Sequence, residues 1–223
     1  MGLLRVAGAS LYFEDAGGSG YPVVFLHPAS GSSQSWQHQL PAFAANGFRC
    51  ITYDLRNWGR SRGESTDNGC FSDDLVALIE HLGLERFALV GAAYGGFGAV
   101  DFAVRFPERL SALVLSGTQG GIADPVYAAL RERVVSAPIR ALPLDLRELG
   151  PSYRARDPEG VEAWLAIAGG ASRSAPPALM RRIAEHLPDR QFVVLGESGH
   201  CLHWEESAEW NRLVLAFLQP LLG

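Results

Sequence analysis

The run Leu89-Val90-Gly91-Ala92-Ala93-Tyr94-Gly95-Gly96 joins an apolar segment to a helical pattern. It has the Gly-x-Ser-x-Gly layout of a nucleophile elbow at every position except the serine, where Ala93 stands. A sharp strand-to-helix turn forces an unfavourable backbone angle on its apex residue. The flanking positions must therefore be small, and Gly91, Gly95 and Gly96 meet that need. The competing interpretation is a Gly-rich dinucleotide turn, which would need Gly-x-Gly-x-x-Gly near the first strand and an acidic ribose partner. A methyl group cannot attack a carbonyl, and losing a serine nucleophile costs on the order of a million-fold in kcat.

These residues need a scaffold, and the apolar pattern supplies one. Leu3–Val6 and Ser10–Asp15 suit a hairpin, and Gly17, Gly18 and Gly20 form a turn. Continuous apolar runs at 22–26, 49–53, 87–90, 113–115 and 192–195 read as strands buried on both faces of a parallel sheet. Between them lie helical patterns at 35–45, with Pro41 weakening its middle, and at 72–82. The second is the clearer. Ser72 can cap it, Asp73 and Asp74 suit its positive end, and Leu75, Leu78, Ile79 and Leu82 share one face before Gly83 stops it. Further helices fit 96–105, 177–186 and 206–218. Strands alternating with helices predict an α/β fold, a mostly parallel twisted sheet covered by helices on both faces.

The order of motifs resembles the α/β-hydrolase fold superfamily over nearly the whole chain. His27-Pro28-Ala29-Ser30-Gly31 is similar to its His-Gly oxyanion loop. Asp54-Leu55-Arg56-Asn57-Trp58-Gly59-Arg60-Ser61 is similar to its Asp-x-Arg-Gly-x-Gly-x-Ser turn, with Asn57 in place of a Gly; Asn is the residue other than Gly best suited to a left-handed turn. Gly199-His200 falls where that family keeps its catalytic histidine. The resemblance implies catalytic positions at Ala93 and His200. It also implies an oxyanion hole from the backbone N–H groups of Ala29 and Tyr94. His27, Ser30 and Trp36 are the candidate substrate-binding residues, with loop organisation the alternative role for His27 and core packing the alternative for Trp36. The resemblance implies a core at 1–118 and 170–223 with a small helical cap inserted at 119–169. Within the cap Pro125, Pro138, Pro143 and Pro151 break the helices, and Val126, Tyr127, Leu130, Val134, Val135 and Leu142 offer apolar lining for a small substrate.

The carboxylate that should orient the histidine is not at its usual place. One alignment reads 165–169 as the acid-bearing strand, which puts Ser172 at the acid position and Pro176 at the following proline. The other reads Asp157-Pro158-Glu159 as a helix start and 160–168 as the last cap helix, leaving that strand absent. Asp124 is the best substitute acid on either alignment.

Composition narrows the field further. The 223 residues suffice for one substantial core, with 48% hydrophobic and 19% charged residues. A formal net charge of −5 gives no basic surface for nucleic acid or anionic membrane. The three cysteines follow no metal spacing, and no metal or cofactor is expected. With no signal-like N-terminus and no apolar run of roughly 20 residues, the expectation is a cytoplasmic protein, monomer or homodimer, acting on a small molecule. Two readings stay open. One is an enzyme for a small ester, lactone or C–C (diketone) substrate whose nucleophile is lost to Ala93. The other is a nucleophile-free member: a lyase, cyclase or cofactor-free oxygenase using His200 as base, or a ligand-binding receptor.

Overall fold

A computed structural model of the chain describes residues 1–64, 69–134, 142–167, 177–196 and 198–223. Strands β1 (Gly2–Val6) and β2 (Ala9–Asp15) form the expected hairpin, and Gly8 takes a φ of 67° in its turn. β3 (Tyr21–Leu26), β4 (Phe48–Tyr53), β6 (Phe87–Ala92) and β7 (Leu110–Ser116) follow. The sheet order is β1-β2-β4-β3-β6-β7, and the short β5 (Arg62–Gly63) pairs with β2 off that path. β4, β3, β6 and β7 run parallel, while β2 is antiparallel to both its main neighbours.

Period-two alternation along β3 sorts its side chains into two cores. Val24 and Leu26 face α2 (Phe71–His81) and α3 (Tyr94–Arg105), packing with Leu75, Leu78 and Phe102. Val23 and Phe25 face the opposite layer, where α1 (Leu40–Ala45) and the C-terminal α10 (Ser207–Leu218) contribute Phe43, Trp210 and Val214. All six residues of β6 are buried, as a central strand of a doubly covered sheet requires. The elbow therefore leaves an interior strand, one place in from the β7 edge, at its carboxyl end.

Between β7 and the C-terminal helices lie α4 (Pro125–Val134), α5 (Leu144–Glu148), α6 (Pro151–Arg156), α7 (Pro158–Ile167) and α8 (Pro177–Ala184). α6 and α7 pack Tyr153 and Trp164 with Leu149 against Cys201 and Trp204, which follow His200. Cys201 and Trp204 thus carry the short α9 (Leu202–Glu205) into contact with α6 and α7. Of the expected cap lining, Tyr127 is buried with Leu179 and Ile183, Leu130 packs at that cluster's margin, and Val126 and Leu142 are exposed. The Val134 side chain, Val135 and Pro138 lie outside the described residues.

Four local expectations change. Residues 35–45 do not form one helix: a 3-10 turn at Ser33–Trp36 ends before Pro41 opens α1. α2 starts at Phe71, and Ser72 gives its hydroxyl to Asp101 of α3 instead of capping its own helix. The alignment that made 165–169 a strand fails, because α7 runs through Ile167, with Asp157 Oδ1 accepting the Gly160 amide at its start and Pro158 at its first position. Residues 168–176, which include Ser172 and Pro176, lie outside the described residues. Finally, 192–195 is not a strand. Among the described residues β7 pairs with β6 alone, so no further strand carries the sheet out to that segment. A groove of about 650 Å³ runs along this flank of β7, lined by Leu113, Val114, Ile183, Phe192, Trp210 and Phe217 among others. Ala93 and His200 are not among its walls.

Candidate active site

Ala93 occupies φ 48°, ψ −110°, a conformation that a residue with a Cβ adopts only under constraint. The constraints are visible. Its N–H donates to Ser116 O (3.0 Å), and its carbonyl accepts from Thr118 Oγ1 (2.6 Å) and Gly96 N (3.1 Å). β7 and its following loop thus clamp the elbow. Close approach explains Gly95, where an added Cβ would lie 2.3 Å from Leu26 O. Tyr94 is the first residue of α3, so its amide is one of those with no acceptor inside the helix. Its ring packs on Trp58 and Phe71.

The loop after β3 is ordered by His27 and Asp54, both fully buried. Leu55 N donates to His27 Nε2 (2.9 Å), which places the ring proton on Nδ1, and Nδ1 donates to Pro28 O (2.7 Å). Gly31 N donates to that same oxygen (3.0 Å). A trans peptide points its N–H opposite its C=O, so two donors on Pro28 O fix the direction of the Ala29 N–H. Trp58 Nε1 holds Ala29 O at 2.8 Å. Burial pushes the His27 pKa down to about 4, so the ring is neutral near pH 7. Asp54 links two loops, accepting Ser33 N (2.7 Å) and Arg60 N (2.7 Å). Asn57 takes φ 69°, the left-handed conformation expected of it, and Arg56 pairs through two nitrogens with Asp74 of α2.

Ser30 is buried, and its Oγ has no hydrogen-bond partner among the described residues. Trp36 lies in the core, against Phe25, His203 and Trp210. It packs the layer beneath the loop.

His200 is buried and sits beside the end of β7: a Cβ placed on Gly117 would meet His200 O at 2.6 Å and Nδ1 at 3.4 Å. Since Ser116 bonds the elbow amide, the imidazole and Ala93 share the same end of the sheet. Its backbone is held by α5 and α9. His200 N (2.6 Å) and Cys201 N (3.2 Å) both donate to Glu148 O, and Glu205 Oε2 accepts the amides of Gly199 (2.9 Å) and Gly150 (2.7 Å). Gly199 is glycine because a Cβ there would lie 2.3 Å from Gly150 N. The carboxylate of Glu148, fully buried, lies 3.5 Å from His200 Nε2.

Asp124 does not face this histidine. It pairs with Arg182 (2.7 and 3.0 Å), caps Tyr127 N and sits 3.7 Å from His186, tying α4 to α8. That guanidinium holds its carboxyl down to about 2. Sequence reasoning missed Glu148 and Glu205: neither falls in a motif, and only the packing of α5 against the Gly199-His200 segment brings Glu148 to His200 and gives Glu205 the Gly150 amide. Among the described residues no cluster of His, Cys, Asp and Glu could hold a metal ion, and no helix is long and apolar enough to cross a membrane.

Comparison with known proteins agrees with this layout. A family profile described as "alpha/beta hydrolase fold" matches residues 21–148. The chain is 26% identical to a 2-hydroxy-6-oxononadienedioate/2-hydroxy-6-oxononatrienedioate hydrolase of Paraburkholderia phymatum, covering 93% of this chain and 90% of that protein. That alignment spans 262 positions, more than the 223 residues available, so it opens gaps in this chain. A thermophilic esterase from Thermogutta terrifontis superposes with a TM-score of 0.80 at 25% identity, over 96% of this chain and 95% of that one. The enol-lactonase from Burkholderia xenovorans gives 0.81 at 20% identity, over 98% of this chain and all of the other.

Proposed function

Because the chain belongs to the α/β-hydrolase fold family, we propose that it is the scaffold of an enzyme for a small ester, lactone or C–C (diketone) substrate, inactivated by alanine at the nucleophile position. The observation that carries this reading is the backbone at Ala93. A strained φ of 48° is retained and clamped by three hydrogen bonds, although an alanine side chain gains nothing from being displayed there. The named activities of relatives, a dienedioate hydrolase and an enol-lactonase, support a small substrate with a carbonyl group.

In this reading the amides of Ala29 and Tyr94 stabilise the oxyanion, and His200 moves the proton. Ser30 and His27 border the substrate's carbonyl side, His27 by holding the loop. Trp36 supports that loop from the core. The cap is the 119–169 insertion, closing over the site from the His200 side. The site is assigned no metal or cofactor, the protein is a cytoplasmic monomer or homodimer, and its substrate is a small molecule.

Restoring the hydroxyl tests the proposal. Ala93→Ser should raise hydrolysis of p-nitrophenyl acetate, or of a simple enol-lactone, by on the order of 10³-fold or more over the unsubstituted chain. A folded Ala93→Ser protein as inert as its parent would sink it. The intact base and amides around a methyl group favour a second reading, a nucleophile-free enzyme using His200 as base. Turnover by the unsubstituted chain that is lost in His200→Ala would establish that one instead.

A further inference from the structure

We infer that Glu148, on α5, is the positioning residue for His200, filling the role of the orienting carboxylate that the sequence does not place at its usual position. The inference rests on His200 being the base of the proposed site. Three observations carry it. Glu148 is fully buried, and its Oε2, 3.5 Å from His200 Nε2, has no hydrogen-bond partner among the described residues; the pair needs only a few tenths of an ångström to close. The backbone carbonyl of the same residue accepts both the His200 and the Cys201 amides, so ring and main chain are located by one residue. The acid candidate offered by the sequence, Asp124, is engaged with Arg182.

The chemistry follows from the contact. A carboxylate facing Nε2 demands a proton there, which leaves the lone pair on Nδ1, the nitrogen nearest Gly117 and hence the β7 end that clamps the elbow. When Nδ1 accepts a proton from the reacting group, the imidazolium stays hydrogen-bonded to Glu148 at Nε2, and the carboxylate stabilises it without taking the proton itself. Other groups also face this ring. Burial lowers its pKa most, Glu148 raises it and Arg147 beside it lowers it. His203 on α9 is buried and held neutral, and its electrostatic coupling to His200 opposes a second charge. Glu205 is committed to the Gly150 and Gly199 amides, and the Cys201 thiol is pushed well above its ordinary range. Arg147 Nε also reaches Glu148 Oε1 at 3.0 Å, so the carboxylate bridges a guanidinium and the imidazole.

The test has two arms, one of which needs no turnover. Imidazole ¹⁵N spectra of the unsubstituted chain should show His200 in the Nε2–H form at neutral pH, and Glu148→Gln should move its titration to lower pH. A ring protonated on Nδ1 alone, or a titration unchanged in Glu148→Gln, would overturn the inference, and the tautomer measurement stands even if that variant does not fold. In the Ala93→Ser background, Glu148→Gln should cut kcat/KM by about 10²-fold or more and move the acidic limb of its pH profile downward, with partial recovery in Glu148→Asp. An active Ala93→Ser protein indifferent to Glu148→Gln refutes the pair and leaves the proposed function standing. An inert Ala93→Ser protein with a His200 titration sensitive to Glu148 does the reverse.

Discussion

His27 and His203 are kept neutral by burial, the first pushed down to about 4 and the second to about 3. A histidine whose folded pKa lies below its unfolded value binds fewer protons in the folded state. Its contribution to stability is therefore full above about pH 6.5 and is lost as pH falls toward the folded pKa. Between pH 6 and 5, before most carboxylates titrate, unfolding free energy should fall with a slope approaching about 1.4 kcal/mol per pH unit for each such ring. Urea titrations at half-unit intervals measure this directly. His203→Phe, which keeps an aromatic ring beside Trp36, should remove one histidine's share of the slope. A stability flat from pH 7 to 5 in the parent chain would contradict the burial of both rings. Asp124 works in a lower window: with Arg182 holding it near 2, its contribution is present above about pH 4 and disappears by about pH 2.

At the scale of elements, the elbow is a joint between β6 and α3 that tolerates no added atoms. Gly95→Ala would drive a Cβ to 2.3 Å from Leu26 O in the neighbouring strand, against rigid backbone. We expect a loss of about 1–3 kcal/mol or more in unfolding free energy, read from the denaturant midpoint. An unchanged midpoint would mean that β3 and α3 are not in close contact. This joint was legible in the sequence, because small residues at fixed spacing around a turn have one steric reason to be there, and the strands leading to it are continuous apolar runs. The left-handed Asn57 was legible for the same kind of local reason. What escaped was set by distant partners. Ser72 looks like a cap, but α3 lies close enough for Asp101 to take its hydroxyl. Glu148 carries no local signal, since its role exists only once α5 packs on the Gly199-His200 loop through Gly199's missing side chain. Residues 192–195 have the composition of a buried strand and are not one; a strand needs a neighbour to bond, which composition does not encode.

Across the whole molecule, the sheet ends in the β1–β2 hairpin on one side and in β7 on the other. Among the described residues β7 has β6 as its single partner, and its residues are half-buried where those of β6 are wholly buried. In a parallel ladder alternate residues direct their N–H and C=O groups to opposite neighbours, so about half of the β7 amides face the groove instead of another strand. Native-state hydrogen exchange should therefore split β7 into an alternating pattern. Amides bonded to β6 should approach the protection of β3, which lies between β4 and β6, and the intervening ones should exchange orders of magnitude faster. The elbow makes the pattern consequential, because Ala93 N bonds to Ser116 O at the end of this same half-supported strand. Opening of β7 and release of the strained φ at Ala93 should then be one event, with the Ala93 amide exchanging at the rate of its strand. Uniform protection along 110–116 would show that something covers this edge, and would remove the basis for coupling the elbow to it.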